Sequence, residues 1–186
     1  KQYDGVTISG ISEEDEQLKA LNGSKILYQA DDNYIVIVGL LDETKNITDT
    51  VKVERKVPDM DFVTECQNRL WGCYYGIKDG ETVNEIYCCK LGDFKNWECY
   101  MGISTDSYRA SVGTDGVWTG AVTYLGYPMF FKENFLHKVY VSGTGAHQIT
   151  STALDGVQKG SSDSLAIVAD TLIYKTRTGI ARFDGS

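Results

Sequence analysis

The sequence has no long apolar run: none approaches the ~18–20 residues that a membrane helix needs. No membrane partner is expected. A basic segment leading into a short apolar one is also missing at the start, so no signal peptide is expected. Positive charge is scarce. Lys and Arg number 18 against 26 Asp and Glu, and the net charge is −8. Such a surface repels phosphate unless its charges segregate, and the basic residues do not cluster. The longest group, Glu54-Arg55-Lys56, holds a carboxylate of its own. These features exclude nucleic acid as an expected partner.

Paired cysteines are missing too. The five cysteines, Cys66, Cys73, Cys88, Cys89 and Cys99, form no C-x-x-C motif, and an odd count does not close a disulfide framework. Only two histidines occur, His137 and His147, both far along the chain from most of the cysteines. No metal site and no cofactor follow from this spacing, and the cysteines read as small buried hydrophobes. There is no G-x-S-x-G elbow, Walker loop or dinucleotide fingerprint. With no framed nucleophile, neither histidine reads as catalytic.

What is present favours strands. Twelve Tyr, six Phe and three Trp stand beside only two Pro, and 19 Gly supply turns. The fold expected is all-β. Residues 1–56 read as a small barrel-like module with strands at Val6-Thr7-Ile8, Lys25–Ala30, Tyr34–Val38 and Thr50–Arg55. Ser12 is placed to cap one short helix over 13–21, with Glu13-Glu14-Asp15-Glu16 in its first turns. Four consecutive acids point around a helix and cannot converge on calcium, so the run reads as a solvated face.

Residues 57–186 carry a degenerate repeat of strand, tight turn, strand, loop, strand. Turns fall at Gln67-Asn68, Gly126 and Ala169-Asp170, and middle strands begin near residues 69, 127 and 172. The spacing, with an insertion around Asp93–Thr119, suits blades of a β-propeller, which recur at about 40–50 residues. About three units fit, so a partial propeller is expected. The last unit would then leave Leu165, Ile167, Leu172 and Tyr174 partly uncovered, and the chain would self-associate through it.

Several strings carry a family resemblance. They are Val53–Phe62, Asn68-Arg69-Leu70-Trp71-Gly72-Cys73, Glu85-Ile86-Tyr87 and Leu91–Trp97. Ser104–Tyr108, Gly120–Phe131 and Gly156-Val157-Gln158-Lys159-Gly160 continue the series. In this order they resemble phage-tail-associated proteins from prophages of gut Firmicutes. The front segment, through Asp4–Gly10 and Leu21-Asn22-Gly23-Ser24, resembles a small β-barrel insertion of tail proteins, with the usual opening altered to Tyr3-Asp4-Gly5. The resemblance implies a virion structural protein expressed in the bacterial cytoplasm, near the tail tip. It implies other tail proteins as partners and supplies no catalytic residues.

Propellers also host glycosidases, and two readings compete with the structural one. A carbohydrate- or receptor-binding module would bind a host cell-surface glycan through exposed Trp or Tyr. A glycosidase would gather acids and arginines in one pocket, drawn from Arg55, Arg69, Arg109, Arg177 and Arg182. Ser111–Trp118 faintly resembles a sialidase Asp box, but its Asp and Gly fall two places late. It reads as a turn. Trp71, Trp97 and Trp118 lie in or beside expected strands and read as packing residues.

Overall fold

Three hairpin turns give the chain its period. At Gln67-Asn68, Leu125-Gly126 and Ala169-Asp170, both central residues take positive φ, from 47° to 78°. That sign pattern belongs to the two-residue turns whose twist matches paired strands. A computed structural model describes residues 4–12, 14–39, 41–55, 57–78 and 80–185. Tyr3, Glu13, Lys56 and Ser186, which enter the sequence reading, lie outside them.

The front of the chain forms β1 (Gly5–Ser9), α1 (Glu16–Lys19), β2 (Gly23–Ala30), β3 (Ile35–Ile37) and β4 (Lys52–Glu54). The sheet runs β3-β2-β1-β4 and is open. The barrel-like expectation is therefore corrected: among the described residues no closed barrel is found. Val6, Ile8, Ile11 and Leu27 make its small core, with Leu18 and Leu21 of the helical segment packed on them. The helix is shorter than expected, and its cap is Asp15 rather than Ser12. The Asp15 carboxylate accepts from the N–H groups of Gln17 and Leu18 at 2.8 and 3.3 Å. The Ser12 N–H instead donates to Asp49. A carboxylate also favours the positive end of the helix more than a hydroxyl does.

The rest of the chain is three antiparallel meanders. The first contains β5 (Phe62–Cys66), β6 (Arg69–Lys78), β7 (Glu81–Cys88) and β8 (Tyr108–Ser111). The second contains β9 (Gly120–Tyr124), β10 (Tyr127–Lys132), β11 (Phe135–Tyr140) and β12 (Gln148–Ala153). The third contains β13 (Ala166–Val168), β14 (Thr171–Lys175) and β15 (Ile180–Phe183). The protein is thus all-β, built of four small antiparallel sheets.

The meanders stack by a fixed rule. Count along β6, β10 and β14 from the first residue after each turn: Arg69, Tyr127 and Thr171. Neighbouring side chains in a strand point to opposite faces. The odd-face residues Trp71 and Cys73, with Cys66, Ile86 and Cys88 beside them, pack against the even-face Phe130 and Val139. The odd-face Met129 and Phe131 pack in turn against the even-face Leu172 and Tyr174. Each sheet therefore lays its odd face on the even face of the next. This corrects the expectation for two residues of the last sheet, while Ile167 is exposed and Leu165 half-buried as expected. Leu172 and Tyr174 are buried, because they belong to its covered face.

Candidate functional site

Two outer faces of the stack have no sheet against them among the described residues. On the third sheet the free face is the odd one. Pairing puts Val168 beside Thr171, Arg182 beside Ile173 and Ile180 beside Lys175, all on that face. Val168 is 54% exposed and Ile180 80%. A cleft of about 480 Å³ crosses the face, lined by Ile173, Lys175, Arg177 and Ile180 among others. The strands of this sheet carry no carboxylate, and Arg177 and Arg182 are both exposed.

On the first sheet the outer face is the even one, and it is partly filled by the chain itself. Met60 lies over Gly72, so close that a side chain at position 72 would meet its sulfur at 2.1 Å. Trp97 packs with Tyr87, Cys89, Leu70 and Tyr74. Around this filling, Val63 is 52% exposed and Phe94 58%. A cleft of about 450 Å³ runs past Glu65, Leu70, Leu91 and Phe94. A second concavity is walled by Asp59, Met60, Asp61 and Val63. Lys95 leans over the Phe94 ring.

The buried cations and histidines hold the stack together. Arg69 lies inside the first sheet and donates to the carbonyls of Cys89, Asp106 and Ser104 at 2.6 to 2.8 Å. It clamps the long β7–β8 connection. Lys132, buried between the first two meanders, donates to Asn84 Oδ1 at 2.9 Å and to the Thr114 carbonyl at 2.6 Å. Its ammonium lies 4.5 Å from the Trp118 ring centre, and burial pushes its pKa down to about 8. Sequence reasoning missed both roles. No local signal singles out Lys132, which ends the apolar run Tyr127–Phe131, while Lys138 stands among apolar strand residues and is only half-buried.

His137 Nε2 meets the Thr114 hydroxyl at 2.8 Å, and its ring stands edge-on to Trp118. His147 Nδ1 accepts from the Ser142 N–H at 3.0 Å, and its ring abuts Trp71 and Tyr108. Burial pushes both imidazoles down to about 4, helped by Lys132 for His137 and by Arg69 for His147. Both are therefore neutral at pH 7. Neither is hydrogen-bonded to a serine side chain or a carboxylate in any contact we observe.

The remaining residues from the sequence reading are separated. Trp71, Trp97 and Trp118 are all buried in the packing. Arg55 pairs with Asp4 and Asp93, while Arg109 pairs with Glu85 at 3.7 Å and lies over Tyr87. Residues Ser111–Trp118 link the first meander to the second, and Asn84 holds the carbonyls of Val112 and Thr114. All five cysteines are buried, and none forms a disulfide. Among the described residues, no group of three or more His, Cys, Asp or Glu could hold a metal ion, and no helix is long and apolar enough to cross a membrane.

The chain matches no family model, no curated protein and no solved structure. Its own geometry therefore carries the functional reading. Besides the two outer faces, smaller clefts are open, one of about 380 Å³ beside Phe62, Tyr75, Trp118 and Lys159. A cleft of about 310 Å³ between the front sheet and the first meander is lined by Ser24, Lys25, Ile26, Glu98, Tyr100 and Arg109. Tyr100 is exposed there, with charged neighbours of both signs.

Proposed function

We propose that the three meanders are successive blades of a β-propeller over residues 57–186, with residues 1–56 an appended module. We propose further that the chain is a non-catalytic structural component of a bacteriophage tail or other virion, near the tail tip. It is made in the bacterial cytoplasm from a phage or prophage genome and works through contacts with other virion proteins. The observation that carries the propeller reading is the serial stacking of like meanders, odd face on even face. Propellers are built of four-stranded meanders arranged radially. The virion reading rests on the ordered strings between Val53 and Gly160. Its test is mass spectrometry of particles purified from induced host cells. Peptides of this chain should be found in tail-bearing particles at a fixed ratio to other tail proteins. Their confinement to the cell lysate overturns the reading.

A second reading, a glycan-binding module of the same particle, is favoured by the Tyr100 cleft. An exposed aromatic ring flanked by a carboxylate and a guanidinium offers a sugar both a stacking face and hydrogen bonds. Binding to host-surface glycans that Tyr100→Ala abolishes would support it. Binding unchanged by that substitution removes the cleft from consideration.

A further inference from the structure

The two outer faces are complementary. The third sheet offers Val168, Ile173 and Ile180 among the cations Lys175, Arg177 and Arg182. The first sheet offers Val63, Leu70, Leu91 and Phe94, with Glu65 on the same face and Asp59 and Asp61 at its edge. One is an odd face and the other an even face, the combination already used at both internal junctions. From this we propose that the odd face of the third sheet docks on the even face of the first sheet of a second copy of this chain.

The inference rests on the blade reading above and names the partner of its exposed face. Three lines of reasoning select a second copy. First, the contact would meet odd face with even face as both internal junctions do, with Val63, Leu91 and Phe94 standing in for the strand-centre positions that Met60 and Trp97 already cover. Second, the charges oppose one another although the whole chain carries −8. Copies that repel overall are thus steered into one orientation by Lys175, Arg177 and Arg182 meeting Glu65, Asp59 and Asp61 along the β5 side of a face whose other side carries Arg109 and Lys95. Third, a head-to-tail contact closes only if the rotation allows. Three sheets from each of two copies give six, within the about 4–8 blades of known propeller rings. The partial filling of the first sheet by Met60 and Trp97 leaves Val63, Leu91 and Phe94 as its contact residues.

Head-to-tail docking has a distinctive signature in mixing experiments. Ile180→Asp spoils the third-sheet face, and Val63→Asp spoils the first-sheet face. Both positions are exposed, and circular dichroism should show both variants folded. In sedimentation velocity from low to several hundred micromolar, the wild-type chain should shift from the mass of one copy to that of two. Each variant alone should remain at one copy, because every contact uses both faces. Mixed in equal amounts, the two variants should form a one-to-one dimer through their two intact faces. A charge pair gives the second arm. Arg182→Glu or Glu65→Arg alone should weaken association, and both in one chain should restore it.

A wild-type chain that stays at one copy throughout overturns the docking. So does a Val63→Asp chain that dimerises like wild type, which would mean that two third-sheet faces meet each other. Neither result bears on whether the chain is found in particles, so the virion reading fails or stands separately.

Discussion

Cys66 and Tyr124 occupy the same place in consecutive meanders, each being the last residue before its turn. Each reaches the same point in the next meander. The Cys66 thiol donates to the carbonyl of Gly126 at 3.2 Å, and the Tyr124 hydroxyl donates to that of Asp170. Both acceptors are the second residue of the following turn. The third equivalent is Val168, which has no donor and faces outward.

This relation makes Tyr124 a sensitive position. Tyr124→Phe keeps the ring in the core and removes only the hydroxyl, leaving the Asp170 carbonyl without that partner. Loss of about 1 kcal/mol is expected. Urea unfolding should show a lower midpoint with an unchanged slope, since the surface exposed on unfolding is the same.

Gly156 is expected to tolerate no side chain at all. A Cβ there would lie 1.9 Å from the Lys132 carbonyl oxygen and 3.3 Å from that of Phe135. Backbone atoms inside paired strands cannot step aside as a flexible side chain can. Gly156→Ala should cost about 3 kcal/mol or more. A thermal melt compared with wild type checks this, with Gly179→Ala, which meets nothing within 4 Å, as the control.

Acid should destabilise the fold before its carboxylates titrate. The two buried histidines take up protons at about 4 when folded, against 6.5 in an open chain. Between those values the unfolded chain binds more protons, so stability falls as pH falls. The full contribution is present above 6.5, and most of it is gone near 4. Each histidine contributes on the order of 3 kcal/mol to this slope. Urea midpoints measured across the window should fall steadily. His147→Phe should flatten the slope by about half, and an unchanged slope would contradict the burial described.

The five thiols should be silent in the native protein. All are buried, and burial raises each one's pKa, that of Cys88 to about 12. The thiolate is the reactive form. A thiol reagent at pH 7 should modify almost none in native protein and all five in urea.

The hairpins were legible because their strands alternate and the second residue of each turn, Asn68, Gly126 or Asp170, is a type that favours positive φ. Middle strands were expected near 69, 127 and 172, and they begin at Arg69, Tyr127 and Thr171. The fourth strands, Tyr108–Ser111 and Gln148–Ala153, were not legible. Gln148-Ile149-Thr150-Ser151-Thr152-Ala153 has little apolar alternation, because its residues are exposed or only half-buried. Tyr108–Ser111 was hidden in what looked like an insertion. The helix cap was misplaced because Ser12 and Asp15 are both good caps, and only the fold decides which meets the first turn. The roles of Arg69 and Lys132 depend on carbonyls far along the chain, which no local pattern reveals.

The one-way stacking also bears on how the chain emerges from the ribosome. Each meander is made just after the one whose odd face it will cover. The greasy side of Trp71 and Cys73 waits only for the strand that carries Phe130, and that of Met129 and Phe131 only for the strand that carries Leu172. At each internal junction the bare odd face waits only for the next meander to appear. Exposed apolar surface in half-made proteins is what leads to clumping. An order of assembly that matches the order of translation keeps that hazard short.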